Sequence, residues 1–500
     1  MEIVFDNKNI QIYKELLCQT KQVQEITESV VPDTDEDIAK IAAVQSSVLL
    51  KSKDVTSRGV LVTGEAVASL MYITEGQNKV SFVKMSKGFS IEYDLPNLDE
   101  DVAAQINLSV LSAEARVVNP RKVSVCFEIS GEISCYHLEE LSVESGVQEE
   151  NCPGLHAKYE SERISLISAV CEKTFSLGEQ FSIPSGKPRP VRIISGNAEL
   201  NINDTQPVGT KVIVKGNADI SLCYISDEVN YPVKAEFSTA FSQIVDIGDN
   251  AMENCSVMTA LTAIYFDLAD SISGDKIVDF EMHALLQLVC RSSRELVYIS
   301  DAYSNLMQAE CRRVKNKFDL LAESKKIKLS ADERLNIKDD CADVLSVFVS
   351  IHRLVKDQNK IKASVHIDTI YRTQTGMLSS VRRGIEMETD YNCDNLRIKS
   401  MRLTDVYLRP DGQYIDGHLS LELNCVTCEN IEIEKIMAVE LNENEAICLE
   451  NFPTVNLVRC ADETLWELAK TYHSNIEVIK AYNEIGDDLC GKMLLIPKSI

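Results

Sequence analysis

Three stretches of the chain alternate apolar and polar residues with a period of two. In "GVLVTGEAVASLMYI" (59–73), Val60, Val62, Gly64, Ala66, Ala68, Leu70 and Tyr72 share one face. In "TKVIVKGNADISLCYI" (210–225) the equivalent set is Val212, Val214, Gly216, Ala218, Ile220, Leu222 and Tyr224. In "NKIKASVHIDTIYR" (359–372), Ile361, Ala363, Val365 and Ile367 oppose Lys360, Lys362, Ser364 and His366. Such a period over a dozen positions predicts long strands with one buried face. A glycine inside each of the first two marks a bend or bulge.

The first two stretches belong to a longer repeat. Pro32 and Pro184, Ile41 and Ile193, Gly64 and Gly216, Tyr72 and Tyr224, and Phe89 and Phe241 are each 152 positions apart. Ala363 and Tyr371 follow Gly216 and Tyr224 by 147, which marks a fainter third copy. Later in each copy two further apolar runs flank the connectors "NPRK", "SISGDK" and "RPDG", whose Pro, Gly and Asn/Asp content is turn chemistry. The reading is three sandwich-like β repeats over 1–138, 163–303 and 304–441. A Glu-rich stretch at 139–162 and another at 442–453 read as linkers. Residues 304–325 fit helix and strand equally well.

The tail changes pattern. "VNLV" reads as a strand, and Thr464 with Glu467 as a capping box opening a helix. Leu465, Leu468, Ala469 and Tyr472 then form one buried stripe. Ser474 and Glu477 read as a second capping box, followed by "IEVIKAYN" and a closing strand "GKMLLIP". The order is β-α-α-β within 454–500. Trp466, the one tryptophan in the chain, lies about 100° from the stripe. It either covers the edge of a small core or anchors a partner's pocket.

Composition narrows the function. A net charge of −26 argues against nucleic acid, which needs a basic footprint. No signal sequence and no unbroken apolar run of membrane-spanning length is visible, so the expectation is a cytosolic chain with reduced thiols. Cys425 and Cys428 form a lone C-x-x-C without a second pair, a weak zinc signal, and no metal is expected. Phosphate-binding loops, H-E-x-x-H and G-x-S-x-G are all lacking, and the seven histidines are dispersed. His366 and His418 are placed on strands facing solvent. No catalytic residue, no cofactor and no enzymatic activity are expected.

The tail resembles a LysM module through Thr464, Leu465, Trp466, Ala469, Tyr472, Asn483, Leu489, Gly491, Leu494, Ile496 and Pro497. The resemblance implies a shallow groove that holds N-acetylglucosamine polymers such as peptidoglycan. By position that groove involves Asp462, Glu463, Thr464, Leu465, Asn483, Ile485, Gly486 and Asp487, with Trp466 beside it. The Gly-Asp usual in the first turn is replaced here by Asp462-Glu463, which suits a basic protein surface better. The repeats (Val-x-Val-x-Gly, Leu-x-Tyr, then an aromatic) resemble the SPOCS domain of clostridial spore-coat proteins. SPOCS repeats before a C-terminal LysM are similar to the SipL type of coat morphogenetic protein. That resemblance implies a non-enzymatic adaptor in the mother-cell cytoplasm and then the spore coat. Its implied partner is stage IV sporulation protein A, a coat ATPase. The alternative is a protein that binds cell wall or spore cortex.

Overall fold

The structure, a computed structural model, describes residues 2–3, 5–95, 102–147, 154–248, 252–270, 276–319, 323–357, 359–391, 396–427, 430–447, 453–483 and 490–499. The first group of strands is β1 (Glu2–Ile3), β2 (Phe5–Val30), β3 (Ile38–Thr56), β4 (Gly59–Thr74), β5 (Val80–Asp94), β6 (Val102–Asn119) and β7 (Lys122–Val147). The second is β8 (Leu155–Ser182), β9 (Arg192–Val208), β10 (Lys211–Ile225), β11 (Val233–Asp246), β12 (Asn254–Asp270) and β13 (Lys276–Ser304). The third is β14 (Met307–Asp319), β15 (Glu323–Asn336), β16 (Cys341–Asp357), β17 (Lys360–Thr373), β18 (Leu378–Asp390), β19 (Leu396–Asp411), β20 (Tyr414–Thr427) and β21 (Asn430–Ala446). Residues 307–319, ambiguous by pattern, are therefore strand.

One pairing order recurs in all three groups. The sheet β6-β7-β2 packs on β3-β4-β5, β12-β13-β8 on β9-β10-β11, and β19-β20-β15 on β16-β17-β18. The alternating faces of β4, β10 and β17 form the cores: Tyr72 and Tyr224 are 0% exposed and Tyr371 is 2% exposed. Gly64 and Gly216 stand opposite Phe89 and Phe241 on the next strand. A Cβ at 64 would meet the Phe89 ring at 2.4 Å, and one at 216 the Asn201 carbonyl at 2.3 Å. A register shift on the neighbouring strand accompanies each site, with Lys51 of β3 opposite Gly64 and Asn203 of β9 opposite Gly216 left out of the pairing. In the third group Ala363 faces Met387 instead, a side chain flexible enough to make room for a methyl.

The second half of β4 and the matching part of β17 are buried on both faces, which hides their alternation, and in β10 Cys223 alone is buried on the outer face. Met71, Ile73, Ile194, Cys223, Phe348 and Ile370 form one cluster drawn from all three groups. Polar contacts stitch the same seam. Ser69 Oγ donates to the Ile194 carbonyl (3.0 Å), the Val44 N–H to Asp368 Oδ2 (3.2 Å), and Asn230 Nδ2 to the Asn78 carbonyl (2.8 Å). Arg382 grips buried Asp368 through two bonds of 2.6 and 2.7 Å.

The stretches expected as linkers are strand at their described ends. β7 runs to Val147 because it keeps pairing with the start of β2, as Ile10 opposite Leu141 shows. β8 begins at Leu155 and β21 continues to Ala446. These far halves carry a shared core of Ile12 from the first group, Ile164, Leu166, Leu296 and Tyr298 from the second, and Phe318 and Ile433 from the third. The flanking glutamates masked that apolar set in the sequence.

His366 corrects another expectation. Its ring stacks on His352 at 4.7 Å, and His352 Nδ1 lies 2.7 Å from the Leu111 carbonyl of the first group. Burial, with His352 and Arg382 close by, pushes the His366 pKa down despite Asp368 and Glu114. A depressed histidine pKa means the unfolded chain binds the proton better. Stability is full above the unfolded value of about 6.5 and declines as pH falls below it toward the folded value. Urea midpoints at about pH 7.5 and 5.5 should differ less for His366→Gln than for the parent chain. An unchanged difference would contradict this assignment. His418, in contrast, is partly exposed, with Nδ1 2.6 Å from Asp332 and Nε2 3.2 Å from Ser420 Oγ.

Candidate partner-binding module

The tail folds as β22 (Val455–Arg459), α1 (Leu465–Thr471), α2 (Ile476–Tyr482) and β23 (Met493–Pro497), with β22 antiparallel to β23. Thr464 caps α1 as its spacing predicts: Oγ1 accepts from the Glu467 N–H (3.3 Å), and Glu467 Oε2 accepts from the Thr464 N–H (2.7 Å). The second box is corrected. Asn475, not Ser474, caps α2, its Oδ1 accepting from the Glu477 N–H at 2.8 Å. Ser474 is buried and donates its hydroxyl to the Pro497 carbonyl, which ties the helical hairpin to β23.

Leu468, Ala469, Ile479, Leu494 and Ile496 are buried together, with Leu465 and Tyr472 packed against them. The core is completed from outside the module by Tyr303, at the end of β13. Tyr303 is 5% exposed, its hydroxyl donates to the Ser474 carbonyl (2.8 Å), and its ring meets Trp466 edge-on at 4.8 Å. Trp466 Nε1 donates to Asp301 Oδ2 at 2.8 Å, and Lys470 Nζ reaches the same oxygen at 2.7 Å. Arg313 adds a further bond to Asp301 at 2.8 Å. Burial alone would raise the Asp301 pKa; the bonds from Lys470 and Trp466 outweigh it and hold the carboxyl below its ordinary value. Asn305 Nδ2, 3.1 Å from Ser499 Oγ, adds a last tie. Trp466 is thus seated in its own chain.

The other expected site residues separate into two groups. Asp462, Glu463 and Thr464 are exposed in the turn before α1, and Leu465 packs inward. That turn adjoins the segment before β23, because the Gly491 N–H donates to the Cys460 carbonyl (2.8 Å) and the Cys460 N–H to the Lys492 carbonyl (2.9 Å). Asn483 is a clamp: both its amide hydrogens are used, on the Ile479 (2.7 Å) and Leu495 (2.6 Å) carbonyls, and its Oδ1 accepts from the Leu495 N–H. Ile485, Gly486 and Asp487 lie outside the described residues, as does Cys428; Cys425 is buried in the third core. Among the described residues no cluster of three or more His, Cys, Asp or Glu is arranged to hold a metal ion. No described helix is long and apolar enough to cross a membrane.

The socket residues Asp301 and Tyr303 were not visible as such in the sequence. They stand more than 160 positions from Trp466, and a tyrosine ending a strand carries no mark of its partner.

No curated protein and no solved structure matches the chain. The family model described as SipL, SPOCS domain matches residues 37–118 and 191–269, together less than half of the chain. The windows coincide with β3–β6 and β9–β12, the portions that carry the Gly–Phe pairs. The third group, with Ala363 and Met387 in their place, falls outside them. The two matches support a SipL-type SPOCS protein related to sporulation and the spore coat.

Proposed function

We propose that this chain is a non-enzymatic adaptor of spore-coat assembly, a scaffold of three SPOCS-type units that presents a LysM-type module to a protein partner. The partner is a stage IV sporulation protein A-like coat ATPase on the forespore surface, and the place of action is the mother-cell cytoplasm and then the coat. The exposed acidic turn Asp462-Glu463 carries this reading. Carboxylates there favour a basic protein face over a neutral sugar polymer. The polar groups that a glycan would need are engaged as well. Thr464 is committed to its cap and both Asn483 amide hydrogens to the module's own carbonyls.

Recognition of N-acetylglucosamine polymers is the alternative, favoured by one observation: the turn before α1 and the segment before β23 adjoin, as two walls of a shallow groove would. Charge reversal separates the two. Asp462→Lys in the full chain should weaken binding to the stage IV protein by roughly tenfold or more. Trp466 emission should stay unchanged, since Asp462 takes no part in the Asp301 socket. Undiminished protein binding by this variant would count against the acidic turn as the docking surface.

A further inference from the structure

Three cysteines meet inside the second group of strands. Cys290 lies fully buried on β13, between β12 and β8. Its directly opposed residue on β12 is Cys255, and the two sulfurs are 3.2 Å apart. Cys171 of β8 packs in the same cluster and is hydrogen-bonded to Cys290. Opposed residues of an antiparallel pair have Cα atoms about 4.5–5.5 Å apart, within the span a disulfide bridges. The sulfurs need to approach by only about 1 Å to bond. In the first group the bulge-matched positions hold Ala104, Cys135 and Gln19, so Cys290 has a cysteine counterpart but Cys255 and Cys171 do not. Cys171 is partly exposed, whereas Cys255 and Cys290 are buried. Cys255 lines a cavity of about 1000 Å³ bordered by all three groups, with Ser46, Asn201 and Arg397 among its walls.

We propose that Cys255 and Cys290 are a peroxide-sensitive dithiol that closes to a cross-strand disulfide, with Cys171 placed as an exchange partner. Hydrogen peroxide entering the cavity transfers one oxygen to the Cys255 sulfur, giving a sulfenic acid and water. The Cys290 sulfur then attacks that sulfur, the S–S bond forms, and the expelled hydroxide leaves as water with the Cys290 proton. Two thiols lose two hydrogens and one peroxide becomes two waters. Attack of Cys171 on the Cys290 sulfur would pass the bond on and return Cys255 as a thiol. The hydrogen bond to Cys290 and burial both push the Cys171 pKa up, which makes it the slower thiol toward peroxide. The linkage fastens β12, the outermost strand of its sheet, to β13.

The test is peptide mapping of the full chain under non-reducing conditions after peroxide treatment and alkylation. The expected product joins the Cys255 and Cys290 peptides and is dissolved by dithiothreitol. In Cys255→Ser, where peroxide can act only on the partly exposed Cys171, the joined pair becomes Cys171 with Cys290. Recovery of all three as alkylated thiols, at a peroxide dose that oxidises exposed Cys18, would overturn the proposal. So would linkage of these cysteines only to other chains. The parent-chain map decides the matter even if the variant folds poorly.

Discussion

Replacing Tyr303 with alanine is expected to release the C-terminal module from the β scaffold. The ring is buried within the module's own core, stands edge-on to Trp466 and holds the Ser474 carbonyl. Loss of a buried aromatic of this kind costs about 3–5 kcal/mol, and an edge-on aromatic pair adds about 0.5–1.5 kcal/mol. The chain supplies its own reporter, because Trp466 is its one tryptophan. Emission of Tyr303→Ala should shift to the red and become more open to iodide quenching, while the β scaffold unfolds at its parent midpoint. Asp301→Ala should give the same shift, since it removes the acceptor of the indole N–H and the counter-ion of Lys470. Parent-like emission from both variants would show that the socket does not hold the module. The same contact implies that an excised 453–500 fragment, lacking Tyr303, is less stable than the module in place.

Tyr224 should be equally sensitive for a different reason. It ends the buried face of β10, is 0% exposed, and donates its hydroxyl to the Pro188 carbonyl at 2.8 Å. Burial, with Glu228 and Cys223 close by, pushes its pKa up to about 12. Tyr224→Ala is expected to cost about 3–5 kcal/mol. Tyr224→Phe keeps the ring and should cost only about 1 kcal/mol, the net worth of one hydrogen bond. Urea unfolding of the two variants separates ring burial from the hydroxyl. A cost below about 0.5 kcal/mol for the alanine variant would mean that Tyr224 does not sit in the core.

The strands that could be read from the sequence were those with one wet and one dry face. Val212 to Tyr224 alternate cleanly because β10 turns one side to its own sandwich for most of its length. The signal failed wherever a second surface was covered. Met71 and Ile73 interrupt the alternation of β4 because they pack on the neighbouring groups, and that packing depends on residues some 120 to 300 positions away. The ends of β7 and β8 were missed because exposed glutamates flank the few apolar residues that enter the shared core. In the module, the local capping of α1 could be read from the Thr464–Glu467 spacing alone. The cap of α2 could not: Ser474 and Asn475 are both good caps, and only the pull of the Pro497 carbonyl on Ser474 decides between them. For Trp466 the sequence left core cover and partner anchor open, and nothing local to it points to Asp301, which binds its indole N–H.

The adaptor reading is tested most directly by calorimetric titration of the full chain against stage IV sporulation protein A and, in parallel, against a chitin or muropeptide oligomer. The full chain is the right reagent because Tyr303 completes the module. The account predicts saturable binding to the protein and no heat with the glycan. Glycan binding without protein binding would contradict it and place the exposed turn at Asp462 and Glu463 on the wall of a sugar groove.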